Sequence, residues 1–159
     1  MNDYKYYLDN GICDFQSAKY ENAIVNFNKS LELINNWEIP YFYRGAANQA
    51  LDNFDEAILD YTKAIELNDK MTDAYYNRAK ILLSRKDIEN PDINRAISDL
   101  EKTLELDSNF TDALYAMAAA LKKQEKYKES LSYLDRVLEI QPDFIYARAL
   151  KKLILQKYV

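Results

Sequence analysis

The chain has 159 residues, of which 48% are hydrophobic, and it contains one Cys, no His, two Gly and three Pro. Its 21 basic and 26 acidic side chains give a formal net charge of −5. These numbers describe a chain long enough to bury a core, and they exclude a disordered protein, a turn-rich all-β fold and His-dependent catalytic or zinc sites.

The chain shows no pattern typical of export or membrane insertion. No apolar run reaches the roughly 18 residues of a membrane span, and the N-terminus MNDYKYYLDN lacks a basic start followed by an apolar core. A single Cys cannot form an internal disulfide, which is typical of a reducing compartment. We therefore expect a cytoplasmic protein without a membrane partner.

Charge is distributed unevenly along the chain. Residues 1–121 carry 12 basic and 21 acidic side chains, a net charge of −9, whereas residues 122–159 carry 9 basic and 5 acidic ones, a net charge of +4. The acidic body would repel phosphates, so we expect no nucleic-acid partner. The basic segment is interpreted as a solvated helix face. The alternative is a patch for an acidic partner or for the acidic end of a second copy.

An internal period organises the chain. Residues of matching size recur at steps of 34 residues, with one step of 39. The three clearest series are Gly11, Gly45, Ala79 and Ala118; Ala23, Ala57, Ala96 and Ser130; and Phe27, Tyr61, Leu100 and Leu134. Five extra residues lie between Ala79 and Ala96, where the stretch SRKDIENPDIN predicts an enlarged loop.

Each period predicts two helices, because its apolar residues recur at three- and four-residue steps, as at Ala57, Tyr61 and Ala64. The predicted cap, turn or helix-end residues are Asn53, Asp69, Thr72 and Pro142. Both glycines occupy the same repeat position, although Gly inside a helix costs about 1 kcal/mol relative to Ala. We predict that two helix backbones cross closely at this position.

The order of aromatic and small residues within each period resembles the tetratricopeptide repeat. The match is strongest over residues 38–71, at Tyr41, Gly45, Phe54, Ala57, Tyr61 and Ala64. The resemblance implies an all-α fold, a right-handed α-solenoid of helix–turn–helix repeats, in one domain over residues 1–159. It implies four units and a C-terminal capping helix, at residues 4–37, 38–71, 72–110 (with the insertion), 111–144 and 145–158.

The capping helix is more apolar than a solvent-facing cap requires. Its apolar side chains near the C-terminus are Leu150, Leu153, Ile154, Leu155, Tyr158 and Val159. We expect the helix to bury most of them against the fourth unit. The alternative is self-association through this helix, because exposed apolar patches tend to mark contacts.

In this family the first helices of the units line a concave groove, and the resemblance assigns groove positions to this chain. The predicted groove residues are Leu8, Asp9, Ile12, Phe15, Phe42, Tyr43, Ala46, Gln49, Tyr76, Asn77, Lys80, Leu83, Tyr115, Ala119 and Lys122. The aromatic members suit a peptide with apolar anchors. Aromatic residues at helical spacing also fit a core, so packing is the alternative for each of them.

The resemblance implies a scaffold or adaptor that binds a peptide or helix of a partner protein in this groove, without a cofactor or metal. The alternative is a structural self-assembly module, or a subunit of a larger complex, that acts through the C-terminal helix. One subgroup of the family binds the C-terminal carboxylate of chaperones through Lys, Asn and Arg. The matching positions here are Leu8, Ile12, Tyr43, Asp73 and Asn77. None carries the expected residue, so this clamp is not predicted.

We expect no enzymatic activity, because the sequence contains no nucleophile–base set and no phosphate-binding loop. Carboxylate pairs such as Asp52 and Asp60 are interpreted as residues of helix starts or solvated polar faces. Cys13 is predicted to be a small buried thiol. Trp37, at the junction of the first two units, is predicted to be a packing residue.

Overall fold

The computed structural model describes residues 3–84 and 91–158. These described residues form nine α-helices joined by short turns and contain no strand. Residues 85–90 of the predicted enlarged loop lie outside them. The helices are α1 (Asp3–Gln16), α2 (Tyr20–Leu33), α3 (Glu38–Ala50), α4 (Phe54–Leu67), α5 (Thr72–Ser84), α6 (Pro91–Leu106), α7 (Thr111–Lys123), α8 (Tyr127–Ile140) and α9 (Ile145–Tyr158).

The chain divides into two compact units, Met1–Ile81 and Leu82–Val159. In the first unit, α1 packs on α2, α2 on α3, and α3 on α4. In the second unit, α6 packs on α7, α7 on α8, and α8 on α9. Each unit is thus built from helix pairs stacked in chain order, which is the predicted arrangement within a repeat array. The single domain over residues 1–159 stays a prediction.

Small residues allow the two helices of a pair to cross closely, as predicted. A Cβ atom added to Gly11 would lie 2.5 Å from Cε1 of Phe27, and one added to Gly45 would lie 3.2 Å from Cβ of Asp60. In the second unit the equivalent Ala118 belongs to one buried cluster with the smaller Leu134. Glycine therefore stands where the facing helix carries an aromatic ring, and alanine stands beside a leucine.

The turn inside three of the predicted repeats depends on a residue with left-handed backbone. Ala18, Asp52 and Glu125 have φ of 56°, 60° and 61°. In the first turn, the N–H of Ala18 donates to the carbonyl of Phe15 at 3.0 Å, and the N–H of Lys19 donates to that of Asp14 at 2.8 Å. These are the two bonds of a Schellman motif, which usually places Gly at this position. The motif ends the first helix and sets the entry into the second.

The predicted helix boundaries are reproduced with one difference. Asn53 does precede α4, but its side chain makes no capping bond, and its amide instead donates to Oδ1 of Asn48 at 3.4 Å. Trp37 directly precedes α3 and packs against the first-unit core. Its ring meets Tyr4 edge to face at 5.9 Å, so the packing role is confirmed. Helix α8 ends at Ile140, two residues before Pro142.

Each unit has its own buried core. In the first unit, one cluster of buried residues consists of Leu8, Ala23, Phe27 and Ala47, and Tyr61 is also fully buried. In the second unit the buried cluster consists of Leu114, Ala118, Leu134, Val137, Ala147 and Ile154. The core residues repeat the small and large positions of the sequence period, so the periodicity of the sequence is the periodicity of the packing.

Helix α9 buries less apolar surface than expected. Ile154 is fully buried and Leu150 packs against the second-unit core. Leu153, Leu155 and Tyr158 remain 37%, 46% and 45% exposed, so the expectation that the helix buries most of its apolar side chains is wrong. The reason is geometric: α9 packs on α8, and this contact buries only one stripe of the surface of α9.

Candidate peptide-binding faces

Three half-buried aromatic side chains from α1 and α3 form the first-unit face, which we define as Phe15, Phe42 and Tyr43. The ring of Tyr43 lies 5.8 Å from Phe15 and 5.4 Å from Phe42, both in edge-to-face geometry. Such contacts hold each ring in place while part of it stays accessible. These three rings are therefore fixed against one another and remain half-buried.

Polar side chains adjoin the first-unit face on α3 and α5. The hydroxyl of Tyr61, a buried residue of α4, donates to Oε1 of Gln49 at 2.8 Å. Tyr61 also hydrogen-bonds the side chain of Asn77, and burial raises its pKa well above the usual value. One buried phenol thus links two predicted groove amides. The ammonium of Lys80 lies 5.4 Å from the ring centre of Tyr76.

The structure places the predicted groove residues in three environments. Leu8 is only 4% exposed and belongs to the first-unit core, so it contributes packing rather than an open lining. Asp9 and Lys80 are exposed. The remaining members are half-buried: Ile12, Phe15, Phe42, Tyr43, Ala46, Gln49, Tyr76, Asn77, Leu83, Tyr115, Ala119 and Lys122. Of these, Ile12, Phe15, Tyr43 and Tyr115 pack against buried clusters, as the packing alternative predicts, and their groove role stays a prediction.

A second aromatic group, the second-unit face, consists of Tyr115 from α7, Phe144 and Tyr146. The ring of Tyr115 lies 5.4 Å from Phe144 and 6.4 Å from Tyr146. Burial raises the pKa of Tyr115, and the neighbouring Tyr146 raises it further. Tyr146 is 71% exposed, so its ring is the most accessible part of this face.

Sequence reasoning missed two exposed residues of α9 because it treated that helix only as a cap. Tyr146 and Leu153 hold the second and ninth positions of a fifth unit counted from residue 145. Those are the predicted groove positions of the other units, so continuing the same count would have added both residues to the prediction. Leu153 is 37% exposed.

Asp60 was expected on a polar, solvated face, and this interpretation is wrong. Asp60 is 5% exposed, and Arg44 donates to it from Nε at 2.9 Å and from Nη2 at 2.6 Å. Asn48 adds a bond at 3.3 Å, and Asn28 accepts from Nη1 of Arg44 at 2.6 Å. The carboxylate is therefore used in a structural ion pair, because a buried charge needs both a counter-charge and hydrogen bonds.

Within residues 3–84 and 91–158, no three His, Cys, Asp or Glu side chains come together as a metal site. No helix in those ranges has the length and apolarity needed to cross a membrane. Cys13 is exposed, which contradicts the predicted buried thiol.

Comparison with known proteins decides the family. Two models of the tetratricopeptide repeat match residues 39–70 and 88–154. The chain is a tetratricopeptide repeat protein. The predicted family and the all-α helical-repeat solenoid class are thereby confirmed. Members of this family are typically non-enzymatic scaffolds for protein interactions.

Relatives among characterised proteins match part of the chain. Human tetratricopeptide repeat protein 12 is 29% identical over 73 residues, which is 46% of this chain and 10% of the relative. Human mitochondrial import receptor subunit TOM70 is 38% identical over 71 residues, which is 42% of this chain and 12% of the relative. This chain thus spans about a tenth of the length of the relatives it matches.

Solved structures resemble more of the chain. A crystal structure of MamA superposes with a TM-score of 0.81 at 25% identity, over 89% of this chain and 80% of that one. MamA from Desulfovibrio magneticus RS-1 has a TM-score of 0.86 at 19% identity, covering 97% and 85%, and shows the fold alone. The first TPR of Spaghetti (RPAP3), bound to the HSP90 peptide SRMEEVD, has a TM-score of 0.69 at 25% identity, covering 75% and 90%.

Proposed function

We propose that this protein is a cytoplasmic adaptor that binds a segment of a partner protein along its first-helix faces. The observation that carries the proposal is the first-unit face, where Phe15, Phe42 and Tyr43 hold one another in edge contacts and stay partly open. Rigid, half-buried aromatic rings are the usual energetic centres of protein interfaces. The Spaghetti domain, a structural relative of this chain, is bound to a peptide.

The chemistry of the face indicates which segment fits. The five positions at which a carboxylate clamp would carry Lys, Asn and Arg hold Leu8, Ile12, Tyr43, Asp73 and Asn77. No cation stands among them to pair with a terminal carboxylate. The ligand is therefore an internal segment with apolar or aromatic anchors, and the amides of Gln49 and Asn77 offer hydrogen bonds to its backbone.

A selection from a random-peptide display library, with the intact protein as bait, tests the proposal. We expect enriched peptides with aromatic or aliphatic anchors. Phe42→Ala lowers the affinity of a selected peptide by about tenfold or more, because truncating an aromatic anchor typically has this effect. Tyr146→Ala tests the second-unit face in the same way, and its 71% exposure makes loss of the fold an improbable explanation.

The matched control is Leu59→Ala. Leu59 lies on α4 in the same unit as Phe42, is 70% exposed and is outside the first-unit face. Its truncation leaves peptide affinity unchanged, and circular dichroism verifies that each variant is folded. Equal losses for Phe42→Ala and Leu59→Ala, or a selection that yields no binding peptide, would refute the proposed faces.

A further inference from the structure

One stripe of the first helices is completely covered in α3, α5, α7 and α9. The stripe consists of the third and tenth residues of each repeat, counted from the predicted repeat starts at residues 38, 72, 111 and 145. All eight side chains are less than 2% exposed: Pro40, Ala47, Ala74, Ile81, Ala113, Ala120, Ala147 and Ile154. In three of these helices the preceding second helix is in contact, as α2 is with α3, α6 with α7 and α8 with α9.

The same stripe is open on α1. Its third and tenth positions carry Tyr6, which is 64% exposed, and Cys13, which is also exposed. No helix precedes α1 among the described residues. We call Asp3, Tyr6, Asn10 and Cys13, which follow steps of three, four and three residues, the open stripe; Asn10 is half-buried and the other three are exposed. An aromatic ring and a thiol at positions that are buried in four other helices make this stripe a candidate contact surface.

Helix α9 presents a complementary surface. Its outer stripe, Ile145, Arg148, Lys152 and Leu155, follows steps of three, four and three residues and therefore lies on one helix face. All four side chains are exposed, Ile145 to 74% and Leu155 to 46%. The side chains of Arg148 and Lys152 form no ion pair with any described residue, whereas Lys151 pairs with Asp135.

The open stripe carries one acidic side chain, Asp3, and the outer stripe carries two cations, Arg148 and Lys152. The helices that carry the stripes differ in charge in the same sense. Helix α1 carries Asp3, Asp9 and Asp14 against Lys5, a net charge of −2. Helix α9 carries one Arg and three Lys and no acidic residue, a net charge of +4. Contact between two α1 helices, or between two α9 helices, would oppose like charges, while contact of α1 with α9 pairs opposite ones.

We propose that α9 of one copy docks on the open stripe of α1 of a second copy, so that this chain associates head to tail. The apolar ends of the outer stripe cover Tyr6 and Cys13, and the cations of the outer stripe meet Asp3. The contact joins two different surfaces, so each added copy exposes the same pair of stripes again. This association uses none of the aromatic rings proposed to bind peptides.

Sedimentation velocity of the intact protein over a range of concentrations tests the association. We expect the average mass to rise with protein concentration and to fall with added salt, because ions screen exposed charges. A single monomeric species up to millimolar concentration at low salt would overturn the proposal. Association that is insensitive to salt would overturn the charge-pairing geometry.

Charge exchange identifies the surfaces. Asp3→Lys and Arg148→Glu each weaken association by about tenfold, and the chain that carries both substitutions recovers it, because the opposite charges are restored across the contact. Failure of the double variant to recover would refute the pairing of α1 with α9. Both side chains are exposed, so the variants keep the helical circular dichroism spectrum of the parent.

The single Cys of the chain distinguishes head-to-tail from tail-to-tail contact. With Leu155→Cys, mild oxidation joins Cys13 of one copy to the new thiol of the next and yields a ladder of disulfide-linked species. With Cys13→Ser added, the ladder disappears. Equal cross-linking of the two variants would show that α9 meets α9, and no cross-linking in either would show that neither stripe is the contact.

Discussion

Replacing Gly11 by Ala tests the size matching between the two helices of a repeat. The added Cβ would lie 2.5 Å from Cε1 and 2.7 Å from Cδ1 of Phe27. The ring of Phe27 is fully buried and stacks on Tyr43 at 6.0 Å, so it cannot swing into solvent. The methyl group must therefore displace a packed ring or push α1 away from α2.

Two opposing effects set the magnitude. Ala is favoured over Gly inside a helix by about 1 kcal/mol, and overpacking a buried site costs about 1–3 kcal/mol. The 2.5 Å approach at Gly11 corresponds to the upper end of the overpacking cost, about 2–3 kcal/mol. We therefore expect Gly11→Ala to lower the free energy of unfolding by about 1–2 kcal/mol, which lowers the melting temperature of a protein of this size by roughly 2–8 °C. At Gly45 the corresponding approach is 3.2 Å. Because a shift of a few tenths of an ångström relieves it, Gly45→Ala stays within about 0.5 kcal/mol of the parent.

A double-mutant cycle separates size matching from other causes. Phe27→Leu alone costs about 1–2 kcal/mol through the cavity it leaves, but together with Gly11→Ala it recreates the combination of Ala118 and Leu134 found in the second unit. The double variant is then more stable than the sum of the single effects by about 1 kcal/mol or more. Urea unfolding followed by circular dichroism measures all four proteins. Strict additivity, or a parent-like Gly11→Ala, would refute the reasoning.

Three further predictions concern the turns, the buried ion pair and alkaline pH. Ala18→Gly raises the free energy of unfolding, measured by urea titration, by about 1 kcal/mol, because Gly adopts φ of 56° without strain. Asp52→Gly raises the free energy of unfolding by less, because Asp tolerates left-handed backbone better than Ala does. Asp60→Asn lowers the free energy of unfolding by about 1–3 kcal/mol, since the half-buried Arg44 loses its counter-charge. The raised pKa of Tyr61 means that the folded state holds this proton more tightly than the unfolded state. Stability is therefore complete below about pH 10 and falls above it, and the fall is shallower in Tyr61→Phe.

The repeat period was sufficient to predict the helix pairs and the tight crossings. A small residue every 34 or 39 positions has a direct steric meaning in a stack of helices, and Gly45 beside Tyr61 shows that contact. The period also predicted the core positions, because the series through Phe27 and Leu134 is fully buried. These features depend on residue size at fixed spacing, and both can be read directly from the sequence.

Features that depend on what lies beside a helix were harder to predict. Cys13 has the helical position of the buried Ala47, yet it is exposed because no helix precedes α1 among the described residues. Asp60 was predicted to be a solvated acidic residue, whereas in the structure it pairs with Arg44, sixteen residues away in sequence. At Leu8 the groove count pointed to a lining residue, whereas the structure packs it into the core. In each case the missing information is the identity of a neighbour distant in sequence.

The matching of Gly11 to Phe27 and of Ala118 to Leu134 has a consequence for how such arrays change over evolutionary time. Each hairpin of two helices contains both residues of its own size-matched pair, so duplication or exchange of whole hairpins preserves every crossing. Recombination that breaks inside a hairpin could place a phenyl ring opposite a methyl group. Viable breakpoints are therefore expected in the linkers between hairpins, and a library of chimaeras sorted for folding would show them there.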